Sequence, residues 1–174
     1  MISTFPAVLF ASSKWDWGTP PDLMDALRRE YGRFHLDPCA KADTAKADDW
    51  YGPGSPLCED GLAVPWFGKV FVNPPFGPHG AWLPAWVKKC YEEAATGRAE
   101  LVVALLPARS DTRWWHQYVL QATERRELAG RVRFLREGAS NSATYPSVVV
   151  VWRRGQLGRN WVSGWDWRKE AGDG

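Results

Sequence analysis

Val70-Phe71-Val72-Asn73-Pro74-Pro75-Phe76-Gly77 decides the fold. Three apolar, β-prone residues run into two prolines, and proline cannot serve a central strand's ladder, so the strand stops at Asn73. Downstream, Ala81 to Ala95 carries Trp82, Trp86, Val87 and Cys90 or Tyr91 near one helical face, with Pro84 marking the start. Leu101 to Leu106 is an apolar run closed by Pro107, the pattern of a strand buried on both faces. Asp111 to Glu127 reads as a further helix, Val132-Arg133-Phe134 alternates like a strand, and Ser147 to Trp152 is a second β-branched run. Upstream, Thr19-Pro20-Pro21-Asp22 opens a helix, with Thr19 as N-cap and a proline in the first position. Leu23, Leu27 and Tyr31 share its inner face and Gly32 ends it. Phe34-His35-Leu36 then runs into Asp37-Pro38, and residues 41–65 read as mostly loop with one short helix.

Strands alternating with helices imply an α/β fold, a Rossmann-like and mostly parallel central sheet with helices on both faces. Such crossovers bring the carboxyl ends of parallel strands to one edge, where ligands bind. Asp37-Pro38-Cys39, Asn73-Pro74-Pro75-Phe76 and Pro107-Ala108-Arg109 should therefore meet there.

The chain has 174 residues, 45% hydrophobic and 24% charged, which suits one well-packed domain and excludes a disordered chain. We place that domain at residues 1–154 and set 155–174 apart as a Gly/Trp-rich tail. The net charge of +2 is unevenly spread. Residues 1–100 hold 10 Lys and Arg against 13 Asp and Glu, whereas 101–174 hold 12 against 7, eleven of them arginine. Arginine suits bidentate phosphate contacts, so the second half is the expected electrostatic footprint, with a solvated Arg-rich surface as the plain alternative. Cys39, Cys58 and Cys90 are odd in number and lack CxxC spacing, which points to reduced thiols and a cytoplasmic location. No metal site is expected, since His35 and Cys39 are followed by no second ligand pair. No apolar run reaches membrane-spanning length, so no membrane partner is expected.

Asn-Pro-Pro-Phe at a strand end suits one chemistry well. The lone pair of an exocyclic amino group is delocalised into its ring and must be localised before it attacks an electrophile. An acceptor on each N–H does this, and the Asn73 side-chain oxygen and Pro74 carbonyl can supply the two. The prolines hold both aimed at one point, and Phe76 offers a stacking face. A plain Asn-Pro turn would use the same residues.

The run Trp17-Gly18-Thr19-Pro20-Pro21-Asp22-Leu23, then Phe34 to Ala40, Asp60-Gly61-Leu62 and Val72 to Gly77, resembles the phage-type DNA N6-adenine methyltransferases, the phage Dam-like family. The resemblance continues through Leu105 to Thr112, Trp114-Trp115-His116 and Tyr145-Pro146-Ser147, covering roughly residues 14–153. It implies a class I fold that uses S-adenosylmethionine to methylate adenine N6 in double-stranded DNA. On that resemblance Asn73, Pro74, Pro75 and Phe76 are catalytic. Thr19 and Pro20, with Asp37, Pro38 and Ala40, touch the cofactor, and Asp60 reads its adenine. Arg109, Asp111, Trp114 and Trp115 belong to the substrate side, and recognition falls on loops 41–65, 77–81 and 109–115. The family also implies a phage-encoded enzyme acting in the host cytoplasm. Trp15 and Trp17 flank the cofactor motif, while Trp82 and Trp86 pack a helix beneath the catalytic loop.

Several residues keep a structural alternative. Thr19 suits an N-cap, Asp37 an Asx-turn, and at least one of Trp114 and Trp115 the core. No glycine follows Ala40 until Gly52, unlike the glycine-rich cofactor loops of related folds. The same motif also suits cytosine N4, RNA adenine or a glutamine amide, and the altered loop suits a non-catalytic DNA-binding relic. Trp161, Trp165 and Trp167 lie in the tail, either covering an apolar patch or touching DNA.

Overall fold

Strict alternation of apolar side chains along three adjacent strands splits the core into two layers, one on each face of a single sheet. The computed structural model describes residues 17–136, 139–143 and 145–169. Its elements are α1 (Pro21–Tyr31), β1 (Leu36–Asp37), β2 (Asp49–Trp50), β3 (Gly68–Val72), α2 (Leu83–Ala95), β4 (Ala99–Pro107), β5 (Glu124–Leu128), β6 (Arg133–Arg136), β7 (Ala139–Ser142), β8 (Ser147–Arg153) and β9 (Trp161–Trp165). Seven strands form the main sheet in the order β2-β1-β3-β4-β8-β5-β9. All its pairings are parallel except those of β8, which runs antiparallel to both β4 and β5. The expected mostly parallel α/β sheet is therefore present.

Phe71, Leu101, Val103, Leu105, Val149 and Val151 point to the face covered by α1 through Leu23, Met24 and Leu27. Their neighbours Val70, Val72, Val102, Ala104, Leu106, Val148 and Val150 point to the other face, covered by α2 through Leu83, Trp86, Val87 and Cys90. Successive strand residues alternate faces, so one sequence run feeds two cores. On the α2 face Trp86 stacks on Trp66 at 6.4 Å. Beside them lies Glu93, whose fully buried carboxylate takes Lys89 at 2.7 Å, Arg98 at 2.8 Å and the Trp66 N–H at 3.0 Å. Burial alone would push the Glu93 carboxyl up, but the Arg98 and Lys89 bonds outweigh it and hold it low.

Four expectations need correction. Pro20, not Thr19, is the N-cap of α1, and no side chain caps that helix. The span 111–127 is not one helix: a five-residue π-turn at Trp115–Val119 is followed by β5. Trp115 and Val119 turn inward to the α2 core. The helix-favouring Glu124-Arg125-Arg126-Glu127 is drawn instead into a ladder between β8 and β9, tertiary pairing overriding propensity. No helix forms within residues 41–65; β2 pairs there with β1. Finally, residues 155–169 of the stretch set apart as a tail join the domain, because β9 extends the sheet and Trp165 and Trp167 enter the α1 core at 3% and 1% exposure. Trp161 of the same strand stays 58% exposed. The expected strand at 132–134 is β6, but it belongs to a separate two-stranded hairpin with β7.

Candidate active site at the carboxyl edge of the sheet

Strand order reverses between β1 and β3: from β1 the chain steps outward to β2, and from β3 the other way to β4. Open α/β sheets bind ligands at such a switch point, outside the carboxyl ends of the strands. Asp37 closes β1 and Asn73 follows β3, so both stand there. The Cys39 thiol donates to the Asn73 main-chain carbonyl at 3.3 Å, tying the two strand ends together. Pro107 closes β4, and the Ala108 N–H bonds to the Pro146 carbonyl at 2.8 Å, which brings Arg109 and Tyr145 to the same edge. The Arg109 guanidinium lies 5.1 Å from the Tyr145 ring centroid. The expected meeting of the strand-end segments holds for β1 and β3 by direct contact, and for β4 by its place on the same edge.

Asn73 is oriented by its own amide nitrogen. Nδ2 donates to the Trp17 carbonyl at 2.9 Å and to the Thr19 hydroxyl at 3.1 Å. A main-chain carbonyl only accepts, so the nitrogen must face Trp17 and the amide cannot be flipped. Oδ1 is left with no donor among the described residues. The Pro74 carbonyl likewise accepts no bond among them. Two unused acceptors on consecutive residues, one fixed by proline and one by two hydrogen bonds, form a preorganised pair. Phe76 is half-buried against the α2 core, and its carbonyl accepts the Trp82 N–H at 3.1 Å. The Trp82 ring lies so close to Gly77 that a β-carbon would collide with it, which fixes the chain leaving the tetrapeptide. Trp82 thus packs against this loop, while Trp86 lies deeper in the α2 core on Trp66.

Asp37 is nearly completely buried. Its Oδ1 accepts the Cys39 N–H at 3.3 Å, the Asx-turn geometry, and its Oδ2 accepts the Lys46 N–H at 3.1 Å. Burial raises its carboxyl to about 6, against the pull of those two bonds. The Ala40 N–H is taken by the Tyr51 carbonyl. Glycines do approach this loop closely, but from outside it: Gly52 abuts the Ala40 carbonyl and Gly61 the Pro38 carbonyl, each with no room for a side chain. Asp60 Oδ1 accepts the Leu62 N–H at 2.9 Å, and Asp60 is half-exposed.

Arg109 pairs with Asp111 at 3.3 Å, and the Arg109 bond holds the Asp111 carboxyl below its ordinary range. Trp114 and Trp115 are both buried in the α2 core, 5.9 Å apart, so neither offers an open ring to a base. The exposed aromatic at this edge is Tyr145, a residue that composition alone does not single out. Trp17 serves the site through its carbonyl, whereas Trp15 lies outside the described residues.

The profile of the DNA N-6-adenine-methyltransferase (Dam) family matches residues 8–170. This chain belongs to that family. Among curated relatives, the Dam-family chain is 27% identical over 111 residues to the DNA N-6-adenine-methyltransferase of Escherichia phage T1. The aligned stretch covers 62% of this chain but 42% of that protein, less than half its length. A solved structure from Pyrococcus horikoshii, provisionally described as an RNA methyltransferase, superposes with a TM-score of 0.47 at 13% identity, covering 85% of this chain and 96% of that one.

Proposed function

We propose that this chain transfers a methyl group from S-adenosylmethionine to the N6 amino group of adenine in double-stranded DNA. The carrying observation is the pinned Asn73 amide, whose Oδ1 stands unused beside the unused Pro74 carbonyl. Accepting both amino hydrogens there pulls the nitrogen lone pair out of ring conjugation and directs it at the incoming carbon. A base inside a duplex cannot reach a strand-end site, so it must flip out, and the half-buried Phe76 face suits stacking on it.

The donor set at this edge fits the cofactor in part. Thr19, only 2% exposed, accepts from Asn73, whereas the half-exposed Asp60 keeps one carboxylate oxygen open among the described residues. Asp60 would hold one end of S-adenosylmethionine, and Thr19 with Pro20, both buried, would shape the floor under the other. The polar groups of Asp37 and Ala40 are consumed within the protein, so these residues shape the loop, with Pro38, rather than reach outward. When bound, the cofactor supplies a methyl group made electrophilic by its sulfonium. Arg109, with Asp111 and Tyr145, is assigned to the substrate side of the same edge. None of the three cysteines forms a disulfide, which suits a reducing cytoplasm.

The test is incubation with labelled cofactor and duplex DNA followed by nucleoside analysis, beside single-stranded RNA, adenine-free duplex and a glutamine peptide. We expect N6-methyladenine from the duplex and a loss of about 10²–10³ in kcat for Asn73→Ala, the usual cost of one such polar contact. Activity that persists unchanged in Asn73→Ala sinks the reading.

A further inference from the structure

A second feature of the carboxyl edge lies outside the catalytic loop. Beyond β5 and β9, a cavity of about 520 Å³ is lined by Pro20, Asp22, Gly130, Arg131, Arg133, Trp167 and Arg168. Its three arginines are exposed and outnumber the one carboxylate. That carboxylate, Asp22, turns Oδ1 to the Leu23 N–H at 2.9 Å. Arg168 is locked in place: its guanidinium stacks 4.2 Å from the Trp167 ring and donates to the Ala129 and Arg131 carbonyls at 3.0 and 2.8 Å. Arg131 and Arg133 have no ion-pair partner among the described residues. Their forks stay available. The buried Trp167 indole N–H also lacks an acceptor among the described residues.

The cavity is joined to the catalytic residues through a short chain of contacts. Trp17 and Thr19 hold Asn73, and Gly18 between them pairs with Leu135 of β6 through bonds of 2.6 and 2.9 Å. Arg133 stands two residues back on the same strand. A strand spacing of about 4.8 Å and two rises of about 3.3 Å put its backbone within about 11 Å of Gly18, whose two neighbours hold Asn73.

We infer that Arg131 and Arg133, with the fixed charge of Arg168 between them and the core, are the seat for the sugar–phosphate backbone flanking the extruded base. Guanidinium forks match phosphate oxygens two to two, and an exposed row of them beside a strand-end site tracks a polyanion. All three arginines face solvent, which suits a strand running past them. The inference rests on the methyltransferase reading above and adds to it where the DNA runs.

Affinity for a 20-base-pair duplex is measured by fluorescence anisotropy over a range of salt, on the full chain and on the double variant Arg131→Ala, Arg133→Ala. Each lost phosphate contact flattens the slope of log affinity on log salt by about 0.9, so we expect a slope shallower by about 1.8. Calorimetric binding of S-adenosylmethionine should be unchanged, and Arg131→Lys with Arg133→Lys should keep the wild-type slope. An alanine variant that keeps the wild-type slope while the wild type methylates the duplex overturns this surface alone. Loss of the cofactor heat with the slope unmoved assigns the cavity to the cofactor and overturns it too. A wild type that leaves duplex DNA unmethylated overturns the functional reading and this surface with it.

Discussion

Thr19 serves two demands that its sequence context merges. Its place before Pro20-Pro21 suits a helix cap, yet its hydroxyl accepts from the Asn73 amide at 3.1 Å while Pro20 takes the cap position. The prolines make a side-chain cap less needed, because Pro21 brings no N–H to satisfy. Removing that acceptor in Thr19→Val leaves the amide held by the Trp17 carbonyl alone. We expect kcat to fall about tenfold, the worth of one hydrogen bond, with Thr19→Ser restoring it. Melting temperature should fall by only about 2–4 °C, so a kinetic series with thermal melts separates orientation from stability. Asp37 carries the second residue-scale prediction. Its folded carboxyl, raised to about 6, holds its proton where an unfolded chain has already ionised. Below about pH 4 both states are protonated and the fold bears no penalty. As pH climbs to 6, stability is lost, by an amount of order 3 kcal/mol above that point. Urea unfolding at pH 4 and pH 7 should show this loss in the wild type and not in Asp37→Asn.

At the scale of elements, apolar periodicity made α1, α2, β3, β4 and β8 legible, because each buries a continuous apolar pattern against one of two cores. The error over 111–127 has the opposite origin. Glu124-Arg125-Arg126-Glu127 carries no buried pattern, and its strand is dictated by ladders to β8 and β9 from far along the chain. The tetrapeptide and its neighbours were likewise legible as a strand end. The pinning of Asn73 by Trp17 and Thr19 was not, since it joins residues more than fifty positions apart. The missing glycine-rich turn after Asp37 has a structural counterpart in Gly61. There the incoming loop packs onto the Pro38 carbonyl, and a methyl group would overlap that oxygen. Both atoms belong to backbone, so relief requires moving the strand-end loop itself. Gly61→Ala should cost roughly 2–3 kcal/mol, as overpacking does, and lower activity beyond what stability explains. Chemical denaturation beside initial rates would check both, and a neutral Gly61→Ala would show that the loop yields.

The largest departure concerns the whole molecule. Twelve tryptophans in 174 residues first suggest rings waiting for bases. Their burial tells otherwise: Trp66, Trp86, Trp114, Trp115, Trp152, Trp165 and Trp167 all fill the two cores. The short strands β1 and β2 leave one flank of the sheet thin, and large indoles supply apolar area there and beneath β9 that more strand residues would otherwise provide. β9 gives the clearest test, because one strand holds both kinds of tryptophan. Trp165 packs in the α1 core with Arg126 stacked 4.6 Å from its ring, whereas Trp161 projects to solvent with Arg159 at 5.3 Å. Truncating Trp165 to alanine empties a buried site bounded by Leu128 and α1 and should cost about 3–5 kcal/mol. Trp161→Ala removes surface already in water and should stay within about 0.5 kcal/mol. Were residues 155–174 an appendage, both substitutions would be silent in urea unfolding. A large loss for Trp165→Ala alone makes β9 the closing strand of the domain, and the stability of the arginine-lined cavity beside Trp167 then depends on it.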